Sequence, residues 1–338
     1  MAPQINWSEL GFNYMQTDCY IVLECHDGTW SGPQERTDPY LSLHIAATCM
    51  HYGQAAFEGL KAFRTKEGAI RVFRPRENIH RMAVTAQRLV MQSPPEALYL
   101  EAIRVLVDRN RDWVPPYGTG ASLYIRPLLI GTTACVGVKP ADDYMLLLLC
   151  MPVGPYYKEG FFPVKAFIQE QYDRAAPHGV GNVKASGNYA AGMLGDIEGK
   201  KLGFPICLYL DSAEHTYIDE FGTSNFIGIT KDNRYVTPAS TSILPSITNS
   251  SLQILAADFG MEVEKRQIPV TELESFAEVG ACGTAAVITP ICSITRGETV
   301  YRFGNENEAG AVLTKLYKEL QGIQYGEKAD THGWMFQI

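Results

Sequence analysis

The segment GVGNVKASGNYAAGM, residues 179–193, sets one lysine, Lys184, among small residues: Gly181, Ala185, Ser186 and Gly187. Small neighbours let a planar ligand come close to the backbone. A lysine placed in that way can lose its water, which lowers its pKa and frees the amine to condense with an aldehyde. Taken alone, a lysine in a loop is more often solvated than buried, so its meaning depends on what stands around it.

Downstream, HTYIDEFGTSNF (215–226) carries Glu220 at the end of a short alternating strand. An aldehyde cofactor built on a pyridine ring needs an acid beside its nitrogen, because a protonated ring draws electrons. Two anion cradles follow. In ILPSITNSSLQIL (243–255), Ser246 or Thr248 can cap a helix after Pro245, and the first backbone N–H groups suit an anion. In GACGTAAV (280–287), Gly283 and Thr284 offer N–H groups and a hydroxyl in a tight loop. Upstream, Arg81 sits in RENIHRMAVTAQRLVM (76–91), where a guanidinium could meet a phosphate. Each has an ordinary alternative: an exposed strand-end acid, a plain helix cap, a plain turn, or a surface ion pair from Arg81 to Glu77 four residues earlier.

The rest of the chain frames these pieces. With 338 residues, about two domains are expected. Strands are expected at 20–25, 69–74, 122–131 and 144–153, and helices at 76–91 and 96–112. VGPYYKEGFFPV (153–164), rich in Gly and Pro, reads as a linker. Beyond it, strands are expected at 164–170, 205–211, 215–219, 225–230 and 234–237. A helix is expected from Ser246 to Gly260, strand and glycine-rich loop over 276–294, and a final helix near 306–321. The class is α+β: a smaller N-terminal α/β domain (1–154), a linker (155–163), and a larger C-terminal domain (164–338) that carries the lysine.

The formal charge of -8 argues against a nucleic-acid backbone as partner. The cysteines at 19, 25, 49, 135, 150, 207, 282 and 292 form no C-x-x-C pair, so no zinc ribbon, redox dithiol or other metal site is expected. The start shows no secretory pattern, and MLLLLCMPVG (145–154) is too short to span a bilayer. A cytoplasmic protein with no membrane partner is expected.

Taken together, HYGQAAFEGLKAFR (51–64), VFRPRENIHRM (72–82), SLYIRPLLIGT (122–132), NVKASGNYAAG (182–192), YIDEFGTSNFIGI (217–229), TPASTSILPSITNSSL (237–252) and CGTAAVITPI (282–291) resemble the branched-chain aminotransferases, of fold type IV among the pyridoxal-phosphate enzymes. The resemblance runs from about Tyr20 to the final helix. It implies a two-domain fold with pyridoxal 5'-phosphate at the domain interface, and reversible transamination of leucine, isoleucine and valine with 2-oxoglutarate.

Residue by residue, the resemblance implies that Lys184 forms the Schiff base and shuttles the proton, that Glu220 pairs with the pyridine nitrogen, and that Tyr189 hydrogen-bonds the phenolic oxygen. Arg81, the backbone at Ile247 and Thr248, and Thr284 are implied to hold the phosphate. Tyr124 and the backbone of Thr284 and Ala285 are implied to receive the α-carboxylate. Tyr52, Phe57, Tyr124 and Tyr156 are implied to wall the apolar pocket, and Arg126 to meet the distal carboxylate of glutamate. Val136 and Val138 are implied to reach into a partner subunit's pocket, so a homodimer is the expected unit. Ala286 and Thr289 stand where some relatives carry a redox cysteine pair, so no thiol switch of that kind is expected. Within the same fold, D-amino-acid aminotransferases and aminodeoxychorismate lyases are the alternatives, but they are typically shorter and lack the FEGLKAF and YIRP combination. A non-catalytic cofactor-binding protein is the alternative of another class.

Overall fold

A computed structural model describes residues 5–7, 9–154 and 160–338. The chain divides into two compact units, one of 1–156, 183–187 and 323–338, the other of 157–182 and 188–322. Residues 155–159 of the expected linker, Tyr156 among them, lie outside the described residues.

The first unit is built on a nine-stranded sheet whose path runs Met335–Gln337, Ile70–Phe73, Leu60–Arg64, Ser122–Gly131, Tyr144–Val153, Tyr20–His26 and Thr29–Trp30. Gln34–Arg36 and Ala55–Phe57 pair beside that path. The two longest strands, Ser122–Gly131 and Tyr144–Val153, have the bounds their apolar runs predict. Period-two alternation sorts their side chains. Leu123, Ile125, Leu129, Leu146 and Leu148 join the core under the helices Pro75–Arg88 and Glu96–Arg109, with Ile79, Met82, Ile103 and Leu106. Tyr124 and Arg126 therefore point to the opposite face. At about 25 cal/mol per Å² of apolar surface removed from water, this two-layer contact is the unit's main source of stability.

The second unit holds another nine-stranded sheet. Its path runs Ile218–Phe221, Ile206–Leu210, Val164–Gln169, Val287–Arg296, Phe276–Gly283, Ser224–Thr230, Tyr235–Pro238 and Val263–Arg266, and Thr299–Arg302 pairs beside it. Because Ile218–Phe221 also pairs with Ser224–Thr230, part of this sheet closes on itself and loses its edges. Phe221, Phe226, Phe276, Leu208, Ile291 and Ile294 fill its core.

Several expectations need correction. Lys184 was expected in the C-terminal domain, but 183–187 packs in the first unit, where Ala185 bridges to Ala56. Residues 323–338 also belong there, because Met335–Gln337 pairs with Ile70–Phe73. The strand expected at 215–219 forms as Ile218–Phe221: the Asp211 carboxylate accepts the N–H groups of Glu214, Thr216 and Tyr217 and folds that stretch into a turn. The final helix starts at Ala311, because Gly310 precedes it and Glu278 accepts the N–H groups of Val312 and Leu313.

The helix Ser186–Lys201 was not expected at all. Its buried face is made of Gly195 and Gly199, not of large apolar residues. A Cβ at Gly195 would stand 2.7 Å from the Tyr209 hydroxyl, and one at Gly199 would collide with the Phe167 ring. Met193, Leu194 and Ile197 are exposed, so the apolar periodicity points the wrong way. Gly199→Val should therefore overpack this contact and cost about 2 kcal/mol or more, read as a lower denaturant midpoint; an unchanged midpoint refutes the close approach.

Candidate active site

In the first unit the backbone of Lys184 is pinned on both sides. Its N–H donates to Thr85 Oγ1 at 3.0 Å, on the helix Pro75–Arg88, and its carbonyl accepts the Phe57 N–H at 3.2 Å. The amine lies 4.7 Å from the centre of the Phe57 ring. Burial pushes it down to about 8, Arg81 and Arg126 push the same way, and Glu58 and Tyr124 oppose. A lysine at that value is substantially neutral near pH 8, as an amine nucleophile must be.

Glu58, given no role from the sequence, is fully buried. Its Oε1 accepts Arg81 Nε at 2.7 Å and its Oε2 accepts Arg81 Nη2 at 2.8 Å. Asn78 Nδ2 adds a bond at 2.8 Å. Burial alone would raise this carboxyl, but the Arg81 guanidinium and Asn78 hold it below the usual carboxylate range. The i−4 pairing of Arg81 with Glu77 does not form; Glu77 faces Arg74 at 3.6 Å instead.

Tyr124 and Arg126 share the sheet face that carries Phe57. Arg126 Nη2 donates to Tyr124 Oη at 2.8 Å, and its guanidinium lies 4.7 Å over the Phe57 ring. Gly59 is required here, since a Cβ would collide with the Tyr124 hydroxyl. Lys61, opposite Tyr124 in register and also unassigned from the sequence, is a second buried amine that burial pushes down to about 8. Tyr52 is exposed and donates to the Val136 carbonyl; Val136 and Val138 are exposed.

The second unit carries the other predicted groups. Glu220 is buried within Ile218–Phe221. Its Oε1 faces Arg174 Nη2 at 2.9 Å and accepts the Leu244 N–H at 3.1 Å; its Oε2 accepts Asn225 Nδ2 at 2.7 Å. Burial pushes this carboxyl up to about 7 against the pull of Arg174, Leu244 and Asn225. Arg174, another residue with no motif to mark it, also donates to the carbonyls of Gly181 and Ser242.

Ser246 caps the helix Ile247–Asp258, accepting the Asn249 N–H at 3.1 Å. The N–H groups of Ile247 and Thr248 belong to the first turn, which has no carbonyl within the helix to accept them. Thr284 and Ala285 are half-buried between Phe276–Gly283 and Val287–Arg296. Val287, which ends that turn, has φ 65°, a left-handed conformation that costs a β-branched residue about 1–3 kcal/mol. Tyr189 stands half-buried near the start of the helix Ser186–Lys201.

Among the described residues, no cluster of three or more His, Cys, Asp or Glu could hold a metal ion, and no helix is long and apolar enough to cross a membrane. All eight cysteines are free.

The family model for amino-transferase class IV matches residues 55–294. The chain is 45% identical over 340 residues to a branched-chain-amino-acid aminotransferase of Haemophilus influenzae, covering 99% of each. It resembles the crystal structure of the Escherichia coli branched-chain amino acid aminotransferase, with TM-score 0.81 and 27% identity over 95% of this chain and 99% of that one. The fold is also that of a branched-chain amino acid aminotransferase from Thermobaculum terrenum, solved in its PLP-form, at TM-score 0.77 and 22% identity over 96% of this chain and 99% of that one.

The amine has a direct test. Labelling of Lys184 by a small aldehyde under reducing conditions should rise with pH through about 8; a rise centred on the ordinary lysine value would mean that the amine is solvated.

Proposed function

The chain belongs to the class IV aminotransferases, and from that premise we propose that Lys184 carries pyridoxal phosphate in a branched-chain-amino-acid aminotransferase. The enzyme moves the amino group of leucine, isoleucine or valine onto 2-oxoglutarate, and the reaction is reversible. The observation that supports the lysine's role is its desolvated amine, pinned through its own backbone and pushed down to about 8.

The residues present fit the cofactor. A neutral amine suits its aldehyde, a buried acid its ring nitrogen, and a guanidinium and an open helix start its phosphate. When bound, the cofactor supplies an electron sink for the pair released as the substrate's Cα–H bond breaks. Everything else is the work of the chain's own groups. The Lys184 amine would take the proton from the substrate's Cα and deliver it to the cofactor's aldehyde-derived carbon, and an amine near 8 can do both at neutral pH. Glu220 is pushed up to about 7 by burial against the pull of Arg174, Leu244 and Asn225, and a protonated ring nitrogen beside it would favour its ionised form and be stabilised in turn.

Tyr189 serves the phenolic oxygen. Arg81, its Nε and Nη2 fixed by Glu58, is the first unit's group for the phosphate, and the N–H groups of Ile247 and Thr248 and the Thr284 hydroxyl are the second unit's groups suited to it. For the α-carboxylate the first unit offers Tyr124 and the second the N–H groups of Thr284 and Ala285. Phe57, Tyr52 and Tyr124 would wall an apolar side-chain site, and Arg126 would take the second carboxylate of glutamate.

Val136 and Val138, exposed on their loop, reach the partner's pocket in a homodimer. A reducing cytoplasm suits a chain whose cysteines are all free. The chain works as two domains joined near residue 155, with the lysine segment returned to the first.

Lys184→Ala should abolish transamination and also incorporation of label when the holoprotein is reduced with borohydride; turnover in the variant would end the assignment. Arg126→Ala should lower kcat/KM for glutamate about tenfold more than for leucine, the size expected when a charge-assisted hydrogen bond is lost. Equal loss for both would remove its proposed role.

A further inference from the structure

Glu220 and the start of the helix Ile247–Asp258 are joined by a buried polar relay, of which the mechanism above uses only the bonds that end on the carboxylate. Asn225 lies opposite Glu220 in register across the hairpin. It gives one Nδ2 hydrogen to Glu220 Oε2 at 2.7 Å and the other to the Leu244 carbonyl at 3.1 Å. Its Oδ1 accepts from Asn249 Nδ2 at 3.1 Å. Asn249 gives its second hydrogen to Thr237 Oγ1 at 2.8 Å and accepts from the Tyr235 hydroxyl at 2.7 Å. The backbone N–H of Asn249 is the one that Ser246 caps, at 3.1 Å. Glu220, Asn225, Thr237, Asn249 and Tyr235 are all buried.

The polarity of this relay has one solution. The Leu244 carbonyl only accepts, so Asn225 must turn its Nδ2 toward it and toward Glu220 Oε2. Its Oδ1 then faces Asn249, which must present Nδ2 in turn and leave its Oδ1 for the tyrosine. A flip of either amide would set acceptor against acceptor in a buried place, at a cost of about 1–3 kcal/mol for each unmade bond. A second route runs parallel. Glu220 Oε1 holds the Leu244 N–H while Asn225 holds the Leu244 carbonyl, and Pro245 and Ser246 lead from there straight into the helix. The carboxylate and the helix start are thus tied twice.

We infer that Asn225 and Asn249 are positioning residues that fix the spacing between the Glu220 carboxylate and the N–H groups of Ile247 and Thr248, so that a ligand with a basic ring nitrogen and a phosphate is gripped at both ends at once. The inference rests on the reading of Glu220 and Ile247–Thr248 as cofactor contacts. Gripping two ends of one rigid molecule gains from the first contact an effective concentration for the second, and that gain vanishes when the two contacts move independently.

The gain separates this role from a merely structural one. Apoprotein is titrated with pyridoxal phosphate, with pyridoxal, which lacks the phosphate, and with inorganic phosphate. In Asn249→Ala the affinity for pyridoxal phosphate should fall at least about tenfold, while the affinities for pyridoxal and for inorganic phosphate each change less than about threefold. Equal losses for all three ligands, or no loss for pyridoxal phosphate in a folded variant, would overturn the inference. Should Asn249→Ala not fold, Ser246→Ala removes only the cap bond and should give a smaller split of the same pattern, which Ser246→Thr restores; Ser246→Ala without that split counts against the relay. A wild-type control in which borohydride fails to fix pyridoxal phosphate on Lys184 overturns the functional reading itself, and is told apart because it involves no variant.

Discussion

The two hydrogen bonds that clamp the Lys184 peptide, one to Thr85 and one from Phe57, are the constraint on which the chemistry depends. A lysine side chain has four rotatable bonds and prefers water. It stays desolvated only if its backbone is held where the amine has no short way out. The clamp does this through the backbone, with a β-bridge from Ala185 to Ala56 and a threonine hydroxyl that accepts the Lys184 N–H. Charged neighbours then set its protonation: Arg81 and Arg126 disfavour the ammonium, and Glu58 and Tyr124 temper them.

Two buried acids show how the same ingredients give opposite results. Glu58 and Glu220 each face an arginine, and the Coulomb attraction of a contact pair is about 4 kcal/mol at an effective dielectric constant of 20, before the opposing cost of desolvation. Glu58 is met by Arg81 through both of its oxygens and by Asn78, and its carboxyl stays below the usual range. Glu220 meets Arg174 through one oxygen only, and burial prevails, pushing it up to about 7. The first is a fixed anion suited to orienting a guanidinium. The second is poised, and a cation placed beside it completes its ionisation.

Much of this architecture was legible from local pattern. Ser122–Gly131 and Tyr144–Val153 were readable because their apolar runs are long and bounded. The cap at Ser246 was readable because capping is a short-range interaction. The helix Ser186–Lys201 was not, because it packs through glycines, and hydrophobic periodicity is blind to a face made of missing side chains. Glu58, Arg174, Asn225 and Asn249 carried no signal of their own: each is a polar residue with at least one partner well away in sequence, as Arg81 is for Glu58 and Asn249 for Asn225. The lysine's unit was misjudged for a similar reason, since its ties to Phe57 and Thr85 reach far back along the chain.

The edge strand Met335–Gln337 pairs with Ile70–Phe73, and Arg71 bonds to a side chain 266 residues later. During synthesis on the ribosome, the early sheet therefore emerges with that edge bare and remains so while all of the second unit is made. An uncovered edge of this kind can recruit strands from other nascent chains. Arg71 on Ile70–Phe73 places a charge on that edge for the whole interval, which is one means by which a waiting strand discourages a stranger.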